Sequence, residues 1–363
     1  MIRRSALRIG ATLLVAVTVA AACSSSSTKT TSTTAASTAT TGVPLASATL
    51  NGSGSTFQQN YDTAAIDAFT KANKAVTINY NPSGSGQGQT DLEGQVVDFA
   101  GSDVTVVPGD VSKFKGGTIL YFPTVLGPIT VSFNLSGVSQ LQLSGLTVAK
   151  IFSTAIKTWN DPAIAADNPG VTLPSTKITV VHRSDGSGTT SNFTAYLKAV
   201  GGSSWTLGTG KTVNWAASTQ AGKGNAGVAQ IVKSTDGAVG YVDFSDAKSG
   251  GLTFASIKNS AGNYVAASLD AASQAAASAT VGTDLTYNPI NTSGAQAYPI
   301  VSPTYIITYA KVTDPAKGAA LKAFLKYILG PDGQALATTV NFAPLPSDLA
   351  SKALAQVDQI SVG

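Results

Sequence analysis

Three times along this 363-residue chain a strand-like run ends in a small polar turn that opens a helical pattern. The turns are GSGSTF (52–57), SGSGQG (83–88) and SDGSGTT (184–190). A strand that breaks at glycine and continues as a helix is the repeating unit of layered α/β folds. The alternation persists around these junctions. AVTINY (75–80), VVDFAGSD (96–103), ITVVHR (178–183) and GAVGYVDF read as strands. Phe57, Tyr61, Ala65 and Phe69 recur at helical spacing, and GNAGVAQIVKS and LDAASQAAASA read as helices. DPAKGAALKAFLKYIL is a further helix, with Pro315 in its first turn. The segment 117–134 gives two strand-like runs with Pro123 and Pro128 between them, a candidate crossing between domains. The pattern predicts an α/β protein with mostly parallel sheets, and the length predicts two domains.

The N-terminus follows an export pattern. Arg3, Arg4 and Arg8 precede an apolar run, Ile9 to Ala22, too short to stay in a bilayer as a permanent span. Residues 1–22 are therefore expected to be a signal peptide. Cys23 is the only cysteine, so no intramolecular disulfide forms. Its place after VAAA resembles a bacterial lipobox, with Ala20 where that motif prefers a leucine-like residue, and it marks Cys23 as the expected lipidation site. Nearly all of 24–42 is Ser, Thr and Ala, so 23–44 is expected to be a lipidated cysteine and disordered tether with a reach of roughly 25 Å. The formal charge of +4 is largely an effect of this leader. Without its three arginines, 20 of the 23 basic residues remain against 19 acids, and no basic stripe is left for nucleic acid.

Most catalytic chemistries lack their residues. The SDGSGTT turn misses the G-x-S-x-G spacing of a nucleophile elbow. The sole histidine, His182, is expected on the strand face opposite Arg183, as a structural residue. One histidine and one cysteine exclude the usual zinc and redox-metal sets, so no metal and no cofactor are expected. GSGQGQ (84–89) does not fit G-x-G-x-x-G, and no phosphate-loop motif occurs.

The three turns themselves suit anions. A helix N-terminus presents unpaired N–H groups and a partial positive charge, glycine allows close backbone approach, and serine or threonine adds hydroxyl donors. The alternative for each turn is a serine or threonine that only caps its helix. Asp103 ends a strand, the place where α/β proteins bind ligands. A carboxylate there repels a bare anion and favours one that carries a proton for it to accept. It would select phosphate over sulfate.

LNGSGSTF, YNPSGSGQG, VDFAGSD, FPTVLGPI, VVHRSDGSGTT, GKGNAGVA, GAVGYVDF and AYPIVSPTYII stand in the order and spacing of the phosphate-binding proteins that serve the phosphate-specific ABC importer. The chain resembles that family from about Leu45 to Leu345. The resemblance implies a two-lobed periplasmic-binding-protein fold of type II, each lobe a mixed, mostly parallel sheet flanked by helices, joined by a two-crossing hinge that closes over the ligand. Lobe 1 would be 45–125 plus 299–363 and lobe 2 126–298, with crossings near Thr124–Leu126 and Tyr298–Ile300. It also implies the site. Thr56 and Ser85 resemble hydroxyl contacts, Phe57 a backbone N–H contact and Asp103 the acceptor of the phosphate proton. Arg183 resembles the cationic ligand, Asp185 the residue orienting it, and Ser187, Gly188 and Thr189 the donors at a helix start. Gln58 stands where proline often follows the Thr-Phe pair, and Gly86 and Gln87 where other members place different small residues. A phosphate receptor of this kind is no enzyme. It would be a monomer outside the cell membrane, with inorganic phosphate, a permease and the membrane, through its lipid, as partners. The alternatives are a binding protein of the same fold for sulfate or molybdate, a secreted phosphoester hydrolase, or an adhesive surface lipoprotein.

Overall fold

A computed structural model describes residues Pro44–Gly363, which form one compact unit. The expected signal peptide, Cys23 and nearly all of the tether lie outside the described residues.

Nine strands build the main sheet. They are β1 (Ala48–Gly54), β2 (Val76–Asn81), β3 (Phe99–Ser102), β4 (Ile119–Phe133), β5 (Thr179–Arg183), β6 (Gln220–Gly222), β7 (Ala238–Asp243), β8 (Thr253–Phe254) and β9 (Val301–Tyr309). Their order is β2-β1-β3-β9-β4-β7-β5-β6, with β8 beside β4. The sheet is parallel at both ends, where β1 pairs β2 and β3 and where β5 pairs β6 and β7. It is antiparallel through the middle, where β9 pairs β3 and β4, and β4 pairs β7 and β8. The alternation of strands and helices accounts for the parallel ends. The middle is antiparallel because β4 carries the chain from one half to the other and β9 brings it back along the same junction.

The two strand-like runs expected over 117–134 are a single 15-residue strand, β4, buried from Tyr121 onward. Pro123 and Pro128 lie inside it, opposite Tyr305 and Val301, and a register shift between Pro303 and Tyr305 absorbs the irregularity. Proline removes a ladder donor but keeps an extended φ, so a strand with a bulged partner tolerates it. At Pro128–Ile129 the strand changes partner, from β9 to β7.

Helices α1 (Gln59–Ala72), α2 (Ser85–Glu93), α3 (Gly188–Gly201) and α4 (Gly224–Ser234) follow β1, β2, β5 and β6. The helical spacing of Tyr61, Ala65 and Phe69 is the buried face of α1. Phe69 packs edge-on against Phe324 of α5 (Pro315–Leu329), with ring centroids 5.4 Å apart. Asp314 caps that helix through two backbone N–H groups, with Pro315 at its first position. In the other half, Phe193 of α3 stacks on Tyr241 of β7 at 4.6 Å and meets Phe152 at 4.7 Å. Helices α1 and α3 are thus anchored by aromatic contacts along their length, and their N-terminal turns lie at the ends of β1 and β5.

Candidate anion-binding site

The first turn leaves β1 at Gly54, whose φ of +139° only glycine adopts without strain. A Cβ there would also lie 2.1 Å from the Gly101 carbonyl oxygen. Gly54→Ala should therefore lose about 1–3 kcal/mol of stability, read as a lower urea midpoint. The Ser55 N–H donates to that carbonyl at 2.8 Å, which seats Ser55 beside Asp103 at the end of β3. The Ser55 hydroxyl donates to Asp103 Oδ1 and accepts the Phe57 N–H at 3.0 Å. The backbone donor expected of Phe57 is therefore engaged within its own turn. Its ring meets Phe342 at 5.6 Å. A serine two residues upstream on so tight a turn takes the N–H, which residue types alone do not reveal.

Thr56, Ser85, Asp103, Arg183, Ser187 and Thr189 come from distant parts of the chain, and none is more than 8% exposed. Thr56 Oγ1 accepts from Asn225 Nδ2 at 3.1 Å and from the Asn225 N–H at 3.3 Å. Ser187 caps α3, its Oγ accepting the Thr190 N–H at 3.0 Å. Capping and ligand binding are compatible there. Thr56 accepts two bonds and Ser187 one, and in both the hydroxyl proton remains to be donated.

Asp103 holds the centre. Oδ1 accepts from Ser55 and from Thr304 Oγ1 at 3.2 Å. Oδ2 faces Ser85 Oγ and Thr189 Oγ1, each at 3.4 Å. Burial raises its pKa to about 6, opposed by the Ser55 hydrogen bond, the Arg183 charge and the Thr304 and Ser85 hydroxyls. It is thus ionised at neutral pH.

Arg183 ends β5 with its side chain 1% exposed. Its Nε donates to Asp185 Oδ1 at 2.8 Å, and its Nη2 donates to Asp185 Oδ2. The Gly224 N–H adds a bond to Asp185 Oδ1 at 3.0 Å. Burial alone would push the Asp185 carboxyl up, but the Arg183 bonds and charge and the Gly224 N–H together hold it below the usual range. The pair occupies one edge of the guanidinium and leaves the other edge, with its own N–H donors, turned away from Asp185.

The two halves of the sheet meet directly here. Asn225, at the start of α4, bridges Thr56 and Thr189, the latter at 3.4 Å. The Gly86 N–H donates to the Gly186 carbonyl at 2.8 Å, and Asn60 Nδ2 donates to Ser245 Oγ at 2.9 Å. The assembled groups are hydroxyl donors, a fixed cation and helix N-termini around one buried carboxylate. That set suits a small oxyanion bearing a proton.

Residues 27–332 match the family model of the PBP superfamily domain. The phosphate-binding protein PstS3 of Mycobacterium bovis is 37% identical over 342 residues, spanning 89% of this chain and 91% of that protein. The phosphate-binding protein PstS 2 of Mycobacterium tuberculosis is 36% identical over 327 residues, spanning 86% and 87%. The chain belongs to the PstS family within the PBP superfamily. Its fold is similar to that of PfluDING, a high-affinity periplasmic phosphate-binding protein solved with phosphate, at a TM-score of 0.70 and 24% identity over 85% of this chain and 94% of that one. The ancestral soluble variant of the Human Phosphate Binding Protein gives 0.71 at 20% identity, with the same coverage. The fold is the two-lobed type II periplasmic-binding fold, with a mixed sheet.

Within the PstS frame, the departures noted in the sequence have physical reasons. Gln58 donates to Asp62 Oδ2 at 2.8 Å and accepts from Thr304, and a proline could do neither. Gly86 lies where backbone meets backbone, and a Cβ on it would come 3.1 Å from Gly186 Cα. Asn225, Ser55, Thr304 and Asn192, which donates to the Asp103 carbonyl at 2.8 Å, escaped sequence reasoning. Asn225 had a signal, since GKGNAG repeats the pattern of a short strand, glycines and a helix start. Thr304 had none. His182 stacks on Trp215 at 4.9 Å with Nδ1 against the Arg183 carbonyl at 2.9 Å. Burial lowers its pKa, so it is neutral at pH 7 and lies outside the anion site. His182→Phe keeps a ring to stack on Trp215 and loses only the Nδ1 contact with the Arg183 carbonyl, so ligand affinity should stay within about twofold by calorimetry.

Proposed function

We propose that this chain binds inorganic phosphate between its two lobes and delivers it to the permease of a phosphate ABC importer, without chemical turnover. The observation that carries this reading is one buried carboxylate, Asp103, among hydroxyl donors, helix N-termini and the Arg183 cation. Phosphate keeps a proton at neutral pH that Asp103 Oδ2 can accept. Sulfate and molybdate offer none, which disfavours them. The relatives named as phosphate-binding proteins support the same ligand. The lobes are taken as 45–125 with 299–363, and 126–298, and the receptor as a monomer held outside the cell membrane by acylated Cys23. No helix among the described residues is long and apolar enough to cross a membrane. Thr56, Phe57, Ser85, Asp103, Arg183, Ser187, Gly188 and Thr189 are the proposed phosphate contacts. Phe57 joins them only if its N–H leaves Ser55.

Titration calorimetry of the wild type tests the ligand: tight phosphate binding with far weaker sulfate binding is expected, and equal affinities would defeat the proposal. Turnover of a chromogenic phosphate ester would defeat the non-enzymatic part. Gly188 gives a second test. A Cβ there would lie 2.6 Å from Ser85 Oγ and 2.7 Å from Asp103 Cβ, atoms of the opposite lobe. Gly188→Ala should weaken phosphate binding by about tenfold or more by holding the lobes apart, with the melting temperature little changed.

A further inference from the structure

On the Oδ1 side of Asp103 lies a buried polar chain of Ser55, Thr304 and Gln58, none of them among the proposed phosphate contacts. Thr304, in the middle of β9, is fully buried. Its Oγ1 lies 3.2 Å from Asp103 Oδ1 and also donates to Gln58 Oε1. A threonine hydroxyl has one proton, so the two acceptors compete for it. Gln58 is turned by its other end, which donates to Asp62 Oδ2. Ser55 has no such competition: its lone pair takes the Phe57 N–H and its proton goes to Asp103 Oδ1.

We propose that Ser55, Thr304 and Gln58 are positioning residues that set which oxyanion the cleft accepts, acting through Asp103. The two hydroxyls occupy Oδ1, fix the carboxylate plane and leave Oδ2 as the acceptor facing Ser85 and Thr189. Gln58 tempers the effect by drawing on the Thr304 proton. This rests on the phosphate reading above and extends it to the source of its selectivity. An ionised Asp103 rejects an oxyanion without a proton, whereas a protonated Asp103 becomes a donor and admits one. The pH at which Asp103 takes up a proton is therefore the pH at which sulfate begins to bind.

The sign follows from the hydrogen bonds. Hydroxyls donating to Oδ1 favour the ionised form, so deleting them raises the pH of protonation. Deleting Gln58 releases the Thr304 proton to Asp103 and lowers it. The other charged or titratable groups facing Asp103 are Arg183 on β5, which favours its ionised form, and Asp62 on α1, Asp243 at the end of β7 and Tyr80 on β2. Burial pushes the latter three upward, Asp62 to about 8, and none of them donates a hydrogen bond to Oδ1 as Ser55 and Thr304 do.

The test is the titration of the Asp103 carboxyl carbon by NMR in the full chain labelled at aspartate, with Asp103→Asn identifying the signal. Sulfate affinity is followed by calorimetry over the same acid-to-neutral range. Ser55→Ala and Thr304→Val should move the midpoint upward by about one pH unit, and the onset of sulfate binding should move with it. Thr304→Ser, which keeps the hydroxyl, should restore both, and Gln58→Leu should move both downward. A midpoint unchanged in Ser55→Ala and Thr304→Val, or Thr304→Ser behaving like valine, overturns the positioning role. A midpoint that moves while sulfate onset stays put overturns the role in selectivity. The titration needs no ligand, so a wild type that binds no phosphate would defeat the proposed function while the midpoints still decide this inference.

Discussion

Arg183→Ala is expected to weaken phosphate binding by about a hundred- to a thousandfold. The guanidinium is buried and donates two bonds to Asp185, and its free edge carries the positive charge proposed to meet the ligand. Removing it deletes charge-assisted bonds and also strands the Asp185 carboxylate beside the incoming anion. That stranded charge makes the loss larger than a missing hydrogen bond would. Arg183→Lys should recover only part of the affinity, because a point charge cannot pair with Asp185 along one edge and present another to phosphate. Calorimetry measures the loss, and circular dichroism melting separates it from unfolding. Near-normal binding by the alanine variant would remove Arg183 from the site.

Asp103→Asn should change the preference more than the affinity. Asparagine is neutral and presents a donor as well as an acceptor, so the repulsion that excludes sulfate disappears. The ratio of phosphate to sulfate affinity is expected to fall on the order of a hundredfold, through weaker phosphate and stronger sulfate binding. The pH dependence gives an independent readout. In the wild type Asp103 is ionised above about pH 6, so phosphate affinity should fall as the pH drops through that value. The asparagine variant cannot titrate there and should lose that acid limb. A preference for phosphate unchanged in the variant would place the discrimination elsewhere.

Much of the fold was legible because it rests on local patterns. The helical spacing of Tyr61, Ala65 and Phe69 is an amphipathic face, and Asp314 with Pro315 is a helix start. Each is set by residues a turn or two apart. Strands followed by glycine turns and helices predicted the parallel ends of the sheet. The antiparallel middle was not legible. A strand carries no mark of its partner's direction, and β9 finds β4 across a sequence separation of about half the chain. The prolines in β4 misdirected the reading for the same reason: whether a proline ends a strand depends on whether its partner can bulge.

The division runs through the site as well. By itself the sequence determined the classes of chemistry present: hydroxyl-rich helix starts, one arginine with an aspartate two residues on, and a strand-end carboxylate. Only the tertiary structure decided how their protons are shared. Ser55 takes the Phe57 N–H, Ser187 both caps and remains able to donate, and Thr304 divides one proton between Gln58 and Asp103. The physical reason is distance. A hydrogen bond exists only within about 3 Å, and the chain separations here, 48 residues for Ser55 and 201 for Thr304 to Asp103, vanish only when the sheet is assembled.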